Sequence, residues 1–195
     1  MAVESTMLPI GTPAPDFDLI DTVGGGRVKL EDLSGKALLV FFMCNHCPYV
    51  KHLQADLAQF GRDYADRDVD IIAIGSNDAE QYPDDSFEQL GIVSQQVGYT
   101  FPVLFDDTQE VAMAYTAACT PDFFLFGPDR GLVYRGRFDE SRPNSEVPVT
   151  GGDLRAAVDA VLANSAVTGD QYPSMGCGIK WKPGNEPGSA SSDRK

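Results

Sequence analysis

The chain reads as an α/β domain, and three observations predict it. The runs "KALLVFFM" (36–43) and "VDIIAIGS" (69–76) are apolar stretches of the kind buried on both faces in the middle of a sheet. Between them Val50, Leu53, Leu57, Phe60 and Tyr64 recur at helical spacing, with Lys51, Gln54, Asp56 and Arg62 interleaved. Strand-like and helix-like segments then keep alternating without a long linker, the pattern of one packed unit. With 195 residues, 43% of them hydrophobic, the chain can bury a core without a covalent staple.

A proline-punctuated arm (Pro9, Pro13, Pro15) comes first, followed by "FDLID" and "GRVKL", which flank Gly24 to Gly26 and predict an N-terminal β-hairpin. No helix follows that glycine run directly, so it is a turn and not a phosphate loop. The first apolar strand feeds "MCNHCPYVKH", and the amphipathic helix runs on beyond Pro48, its first turn holding Cys47. After the second strand a shorter helix is predicted over 84–97, with Pro83 suited to its start. "FPVLFD" (101–106), "PDFFLFG" (121–127) and "GLVYRGRF" (131–138) read as strands, the last two joined by the turn "GPDRG". A helix over 152–164, with Leu154, Ala157, Val158, Val161 and Leu162 on one face, closes the packed part. One domain over 1–187 is expected, and the glycine, proline and serine content of the end predicts disorder over 188–195.

Charge narrows the partners. Against 29 acidic side chains stand 15 basic ones, a formal charge of -14 that repels nucleic acid and anionic lipid, so neither is expected as a partner. The longest apolar run, Ala37 to Met43, is far below the ~20 residues of a membrane helix, so no membrane association is expected. Four cysteines are too sparse for a disulfide framework, and the first residues lack a basic, then apolar leader; both predict a cytoplasmic protein with reduced resting thiols. The acidic cluster "DRDVD" (66–70) lacks the glycine and glutamate of a calcium loop.

The chemistry concentrates in Cys44 and Cys47. A C-x-x-C there admits a redox pair, half of a metal site or two buried small residues, and the passage from central strand to helix favours the first. Unpaired amides and the dipole at a helix N-terminus stabilise a thiolate. The expectation is an exposed, acidic Cys44 that attacks, a more shielded Cys47 that resolves, and a partly positive His46 that stabilises the Cys44 thiolate and tunes the potential. Structural zinc needs two further ligands at short spacing, and Cys119 and Cys177 stand alone, so no metal is expected; the metal alternative would use Cys44, Cys47 and either His46 or His52.

"MCNHCPYVKH", "CTPDFFLFG", "YRGRFDESRP" and "PSMGCGIKWKPGNEP" together resemble the peroxiredoxin-like proteins of the AhpC/TSA (redoxin) group that carry a thioredoxin-type C-x-x-C, over nearly the whole chain. The resemblance implies a thioredoxin-like fold, a central mixed sheet flanked by helices with the hairpin as an N-terminal extension. It implies a cis-proline opposite the thiols, with Pro121, preceded by Thr120, as the candidate that binds the extended backbone of a substrate protein and keeps metal away.

The peroxidase motif P-x-x-x-T-x-x-C is not met: counting back from Cys47 gives Cys44 and Val40, and from Cys44 gives Phe41 and Ala37. Arg135 or Arg137 could supply its guanidinium, though a surface ion pair suits either better. Cys119, two residues before Pro121, reads equally as a third redox thiol and as a small buried hydrophobe. Cys177 could act as a resolving or regulatory thiol only if the tail folds back, and Trp181 reads as the anchor that packs the tail. The expected function is thiol–disulfide exchange with a protein or small-thiol substrate, without a cofactor, recycled by a partner dithiol reductase. The alternatives are a thiol-dependent peroxidase and the metal-binding module.

Overall fold

The computed structural model describes residues 2–187. Its strands are β1 (Ala2–Glu4), β2 (Asp18–Asp21), β3 (Arg27–Lys29), β4 (Ala37–Phe42), β5 (Val69–Gly75), β6 (Val103–Phe105), β7 (Cys119–Thr120), β8 (Asp122–Phe126), β9 (Leu132–Gly136) and β10 (Met175–Gly178). Its helices are α1 (Pro48–Tyr64), α2 (Phe87–Val97), α3 (Glu110–Ala114) and α4 (Gly152–Leu162). Seven strands form a mixed sheet in the order β3-β2-β6-β5-β4-β8-β9, parallel between β4, β5 and β6 and antiparallel elsewhere. The predicted hairpin is β2–β3, and it extends the sheet edge through β6.

Strand β4 is central and buried along its whole length, as its unbroken apolar sequence requires. Its alternate residues serve two cores. Leu39 and Phe41 join Phe123, Leu125 and the inner faces of α1 and α4, whereas Leu38, Val40 and Phe42 join Phe124, Phe126 and Tyr115 on the other side. The predicted stripe of α1 is the buried one, and Val50, Leu53, Leu57 and Phe60 contribute about 1.5–3 kcal/mol each on burial. Trp181 packs against the second core, as expected of an anchor.

One expectation changes, and one open question closes. The helix predicted from 84 breaks into a separate 3-10 turn, Pro83–Asp85, and α2 starts at Phe87, where the Ser86 Oγ caps the Gln89 amide at 3.3 Å. The break turns Asp85 inward. The tail also folds back: β10 lies between β1 and β7 in a second, three-stranded antiparallel sheet. The disorder expected over 188–195 lies outside the described residues.

Candidate functional site

Strand β4 delivers the C-x-x-C to one end of the sheet. The Met43 amide still bonds the Ile74 carbonyl at 2.9 Å, and then the chain leaves the ladder. Pro48 is the first helical residue of α1 and Cys47 is its cap, in extended conformation, its carbonyl accepting from the Lys51 amide at 3.0 Å. Both cysteines therefore precede the helix, not just the first. Facing them is β7, then a cis Thr120–Pro121 bond, the isomer the resemblance implied. Thr120 touches both sulfurs. Its Oγ1 lies 3.2 Å from the Cys44 Sγ, and its carbonyl oxygen accepts from the Cys47 thiol at 3.1 Å.

The expected exposure of Cys44 is wrong: Cys44 and Cys47 are both 0% exposed. So is the expected acidity. The two thiols titrate as a pair. Cys47 is held well below the usual thiol range by the hydrogen bond from Cys44, against the cost of burial, and with help from the Cys177 thiol and the Val50 and Cys177 amides. Cys44 is pushed up by that same bond, by burial and by the Asp85 carboxylate, with Thr120 opposing. The helix amides favour the sulfur at the cap, which is Cys47.

Asp85 is the residue the sequence did not reveal. Its buried carboxylate accepts from the Asn45 amide at 2.7 Å and from the Asn77 side chain at 2.8 Å, and lies 2.5 Å from His46 Nδ1. His46 also stacks on Tyr82, with ring centroids 5.3 Å apart. The histidine expected to supply positive charge near Cys44 is thus paired with an anion that opposes a thiolate there.

Cys177 comes to the site through β10. It stands opposite Thr120 in the antiparallel register, with Gly178 opposite Cys119. The edge expected to receive a substrate backbone is thus occupied by the chain's own strand. Burial, then its interaction with the Cys47 thiol and charge, push the Cys177 thiol up to about 11, with Lys180 opposing. Cys119 fits the reading as a buried hydrophobe: it is 0% exposed, its Sγ reaches only the Pro121 carbonyl at 3.5 Å, and burial, then Asp122, push it up.

The tail segment and the "YRGRFDESRP" segment now have physical roles. The Lys180 amide donates to the Asn77 Oδ1 at 2.8 Å, and its carbonyl accepts from the Asp78 amide and the Gln109 side chain, both at 2.8 Å. Asn77 therefore links the tail to Asp85. Asp139 gathers the Ser141, Thr150 and Gly151 amides at 2.9, 2.7 and 2.6 Å and closes the loop between β9 and α4. Arg137 pairs with Asp153 at 2.6 Å, the ion pair expected of it, whereas Arg135 bonds the neutral Gln171 side chain at 2.7 Å in place of the expected ion pair.

Cys44, His46 and Asp85 each offer a ligand atom, all within 4.8 Å of one another. This set replaces the expected metal alternative, since it uses Asp85 in place of Cys47. Two of its donor atoms, His46 Nδ1 and Asp85 Oδ2, are committed to each other, and the Cys44 sulfur to Thr120. His52 lies elsewhere, 3.1 Å from the Ser141 hydroxyl.

The family model described as AhpC/TSA family matches residues 10–135. The thiol-disulfide oxidoreductase ResA of Bacillus subtilis is 28% identical over 123 residues, 63% of this chain and 64% of that protein's length, so the chain spans somewhat less than two thirds of this relative. Alkyl hydroperoxide reductase C of Mycolicibacterium smegmatis is 27% identical over 200 residues, 92% of each chain. A crystal structure of an uncharacterized conserved protein from Geobacillus kaustophilus superposes with a TM-score of 0.92 at 53% identity, over 94% of this chain and 97% of that one. A thiol:disulfide interchange protein of the thioredoxin family from Chlorobium tepidum has a TM-score of 0.60 at 18% identity, over 80% and 99% of the two chains, a likeness of fold alone. The fold is thioredoxin-like.

Proposed function

The chain belongs to the AhpC/TSA family, and on that premise we propose that it is a thiol-disulfide oxidoreductase working through a reversible Cys44–Cys47 disulfide. One observation carries the reading: two sulfurs three residues apart at the start of α1, both touched by the residue before a cis-proline. Loss of two electrons and two protons from the two thiols joins the sulfurs, and an incoming disulfide is released as two thiols. Thr120 positions both sulfurs, Pro121 shapes the groove beside them, and His46 with Asp85 sets the charge next to Cys44. Only sulfur chemistry is required, so no cofactor takes part, and a dithiol reductase restores the pair. The setting on this reading is cytoplasmic, where such thiols rest reduced.

The test is reduction of glutathione disulfide or insulin with dithiothreitol as electron donor, together with disulfide mapping after oxidation. The wild type should turn over and show a Cys44–Cys47 disulfide, and Cys44→Ser and Cys47→Ser should lose turnover. Turnover retained in both variants would refute the assignment. The likeness to an alkyl hydroperoxide reductase along 92% of each chain favours a second reading, a thiol-dependent peroxidase using the same sulfurs. Peroxide consumption supported by dithiothreitol separates it, because that activity needs a sulfenic acid on one cysteine and not a disulfide substrate.

A further inference from the structure

Cys44 and Cys47 are both 0% exposed, and a redox pair with no face to solvent needs a way to exchange electrons. The strand that covers it carries a thiol. Cys177 stands opposite Thr120, whose carbonyl accepts from the Cys47 thiol at 3.1 Å, packs against the core cluster that holds Cys44 and Cys47, and is the least buried of the four cysteines. Cys47 therefore sits between Cys44 and the strand that carries Cys177. The strand is also fitted to its place. A Cβ at Gly176 would collide with the Thr120 carbonyl oxygen and stand 2.6 Å from its carbonyl carbon. Only glycine lets β10 lie this close to the cis-proline loop.

We propose that Cys177 is a third redox thiol, which takes the disulfide from the buried pair and presents it to an external dithiol. The Cys177 thiolate attacks the Cys47 sulfur of the Cys44–Cys47 disulfide. The Cys47–Cys177 bond forms as the Cys44–Cys47 bond breaks, and Cys44 leaves as a thiolate that takes up the proton Cys177 gave. No electrons leave the protein in this step. A dithiol such as dithiothreitol then attacks Cys177 and closes its own ring, its two electrons returning Cys47 and Cys177 to thiols. The strand that occupies the substrate edge becomes the chain's own substrate, so small dithiols and accessible protein dithiols can recycle a pair they cannot touch.

The inference rests on the proposed Cys44–Cys47 chemistry, and the experiment separates the two. The full chain is titrated with glutathione disulfide, blocked with N-ethylmaleimide and mapped by mass spectrometry, as wild type, Cys44→Ser and Cys177→Ser. The relay requires a Cys47–Cys177 disulfide in Cys44→Ser and a minor amount of it in the wild type. In Cys177→Ser the pair should be oxidised by glutathione disulfide, and its disulfide reduced by dithiothreitol, about tenfold or more slowly than in the wild type, because the sulfurs that remain are inaccessible. No Cys47–Cys177 disulfide in either protein, or unchanged rates in Cys177→Ser, overturns the relay and leaves the pair's own function standing. No Cys44–Cys47 disulfide in the wild type refutes the underlying function instead. Thermal unfolding of both variants guards against a folding defect, and the wild-type map needs no variant.

Discussion

Replacing Asp85 by asparagine should make Cys44 more acidic, and the geometry bounds the effect. The carboxylate oxygen and the Cys44 sulfur lie within 4.8 Å. Two unit charges at about 4 Å interact by ~4 kcal/mol at an effective dielectric of ~20, which scales to ~3.5 kcal/mol at this separation. Each pKa unit is ~1.4 kcal/mol, so full removal of the charge lowers Cys44 by about 2.5 units. The thiols are coupled, so the measurement belongs in a Cys47→Ser background, where Cys44 titrates without its partner's bond. The 13Cβ shift of Cys44 followed against pH reads the site alone. A midpoint that stays or rises when Asp85→Asn is added refutes the electrostatic reading of this cluster. The variant also turns an amide donor toward the Asn77 side chain, with an expected stability loss of about 1–3 kcal/mol in urea unfolding.

Two further outcomes concern stability. Asp139 is pushed up by burial, but the Ser141 hydroxyl and the Gly151, Thr150 and Ser141 amides outweigh this and leave its carboxyl below the usual range. Its contribution is therefore complete above the unfolded value of ~3.9 and lost as pH falls through the lower folded one; Asp139→Ala should cost about 2–4 kcal/mol near neutrality, a gap that closes in acid urea titrations. Asp122 behaves oppositely. Burial raises it to about 8, against the Ala118 and Cys119 amides, so the folded state binds a proton that the unfolded state has released. Its stabilising effect is complete below ~3.9 and fades as pH rises toward the folded value, and Asp122→Asn should flatten this decline; parallel stability curves for variant and wild type between pH 4 and 8 would refute it.

How far the sequence reveals this molecule depends on the range over which each feature is encoded. Strands β4 and β5 and helices α1 and α4 declare themselves through periodicity, because each buries a face wide enough to dictate its own residues. Strands β1, β7 and β10 run two to four residues and depend on one another for register, so no local pattern marks them. The C-x-x-C and the proline of its facing loop were legible as a motif, whereas Asp85 meets Asn45 only across 40 residues of chain. The helix start was legible too. Pro48 suits the first helical position, which puts Cys47 at the cap and the amides on the second thiol rather than the first.

The position of β10 also bears on which partners the pair can serve. For a substrate protein to take the Thr120 edge, the strand must leave, and with it the Ser5–Ser174 bonds at 2.9 Å and the Lys180 bonds to Asn77 and Gln109 at 2.8 Å. Each such bond contributes about 0.5–1.5 kcal/mol, and loss of the Lys180 links also frees Asn77 from the partner that orients it on Asp85. Displacement would therefore disturb the charge beside Cys44 in the same event that uncovers it. Exchange through Cys177 leaves those bonds in place and requires only that neighbouring sulfurs change partners. The network that makes strand displacement costly thus favours the route through the thiol on the strand.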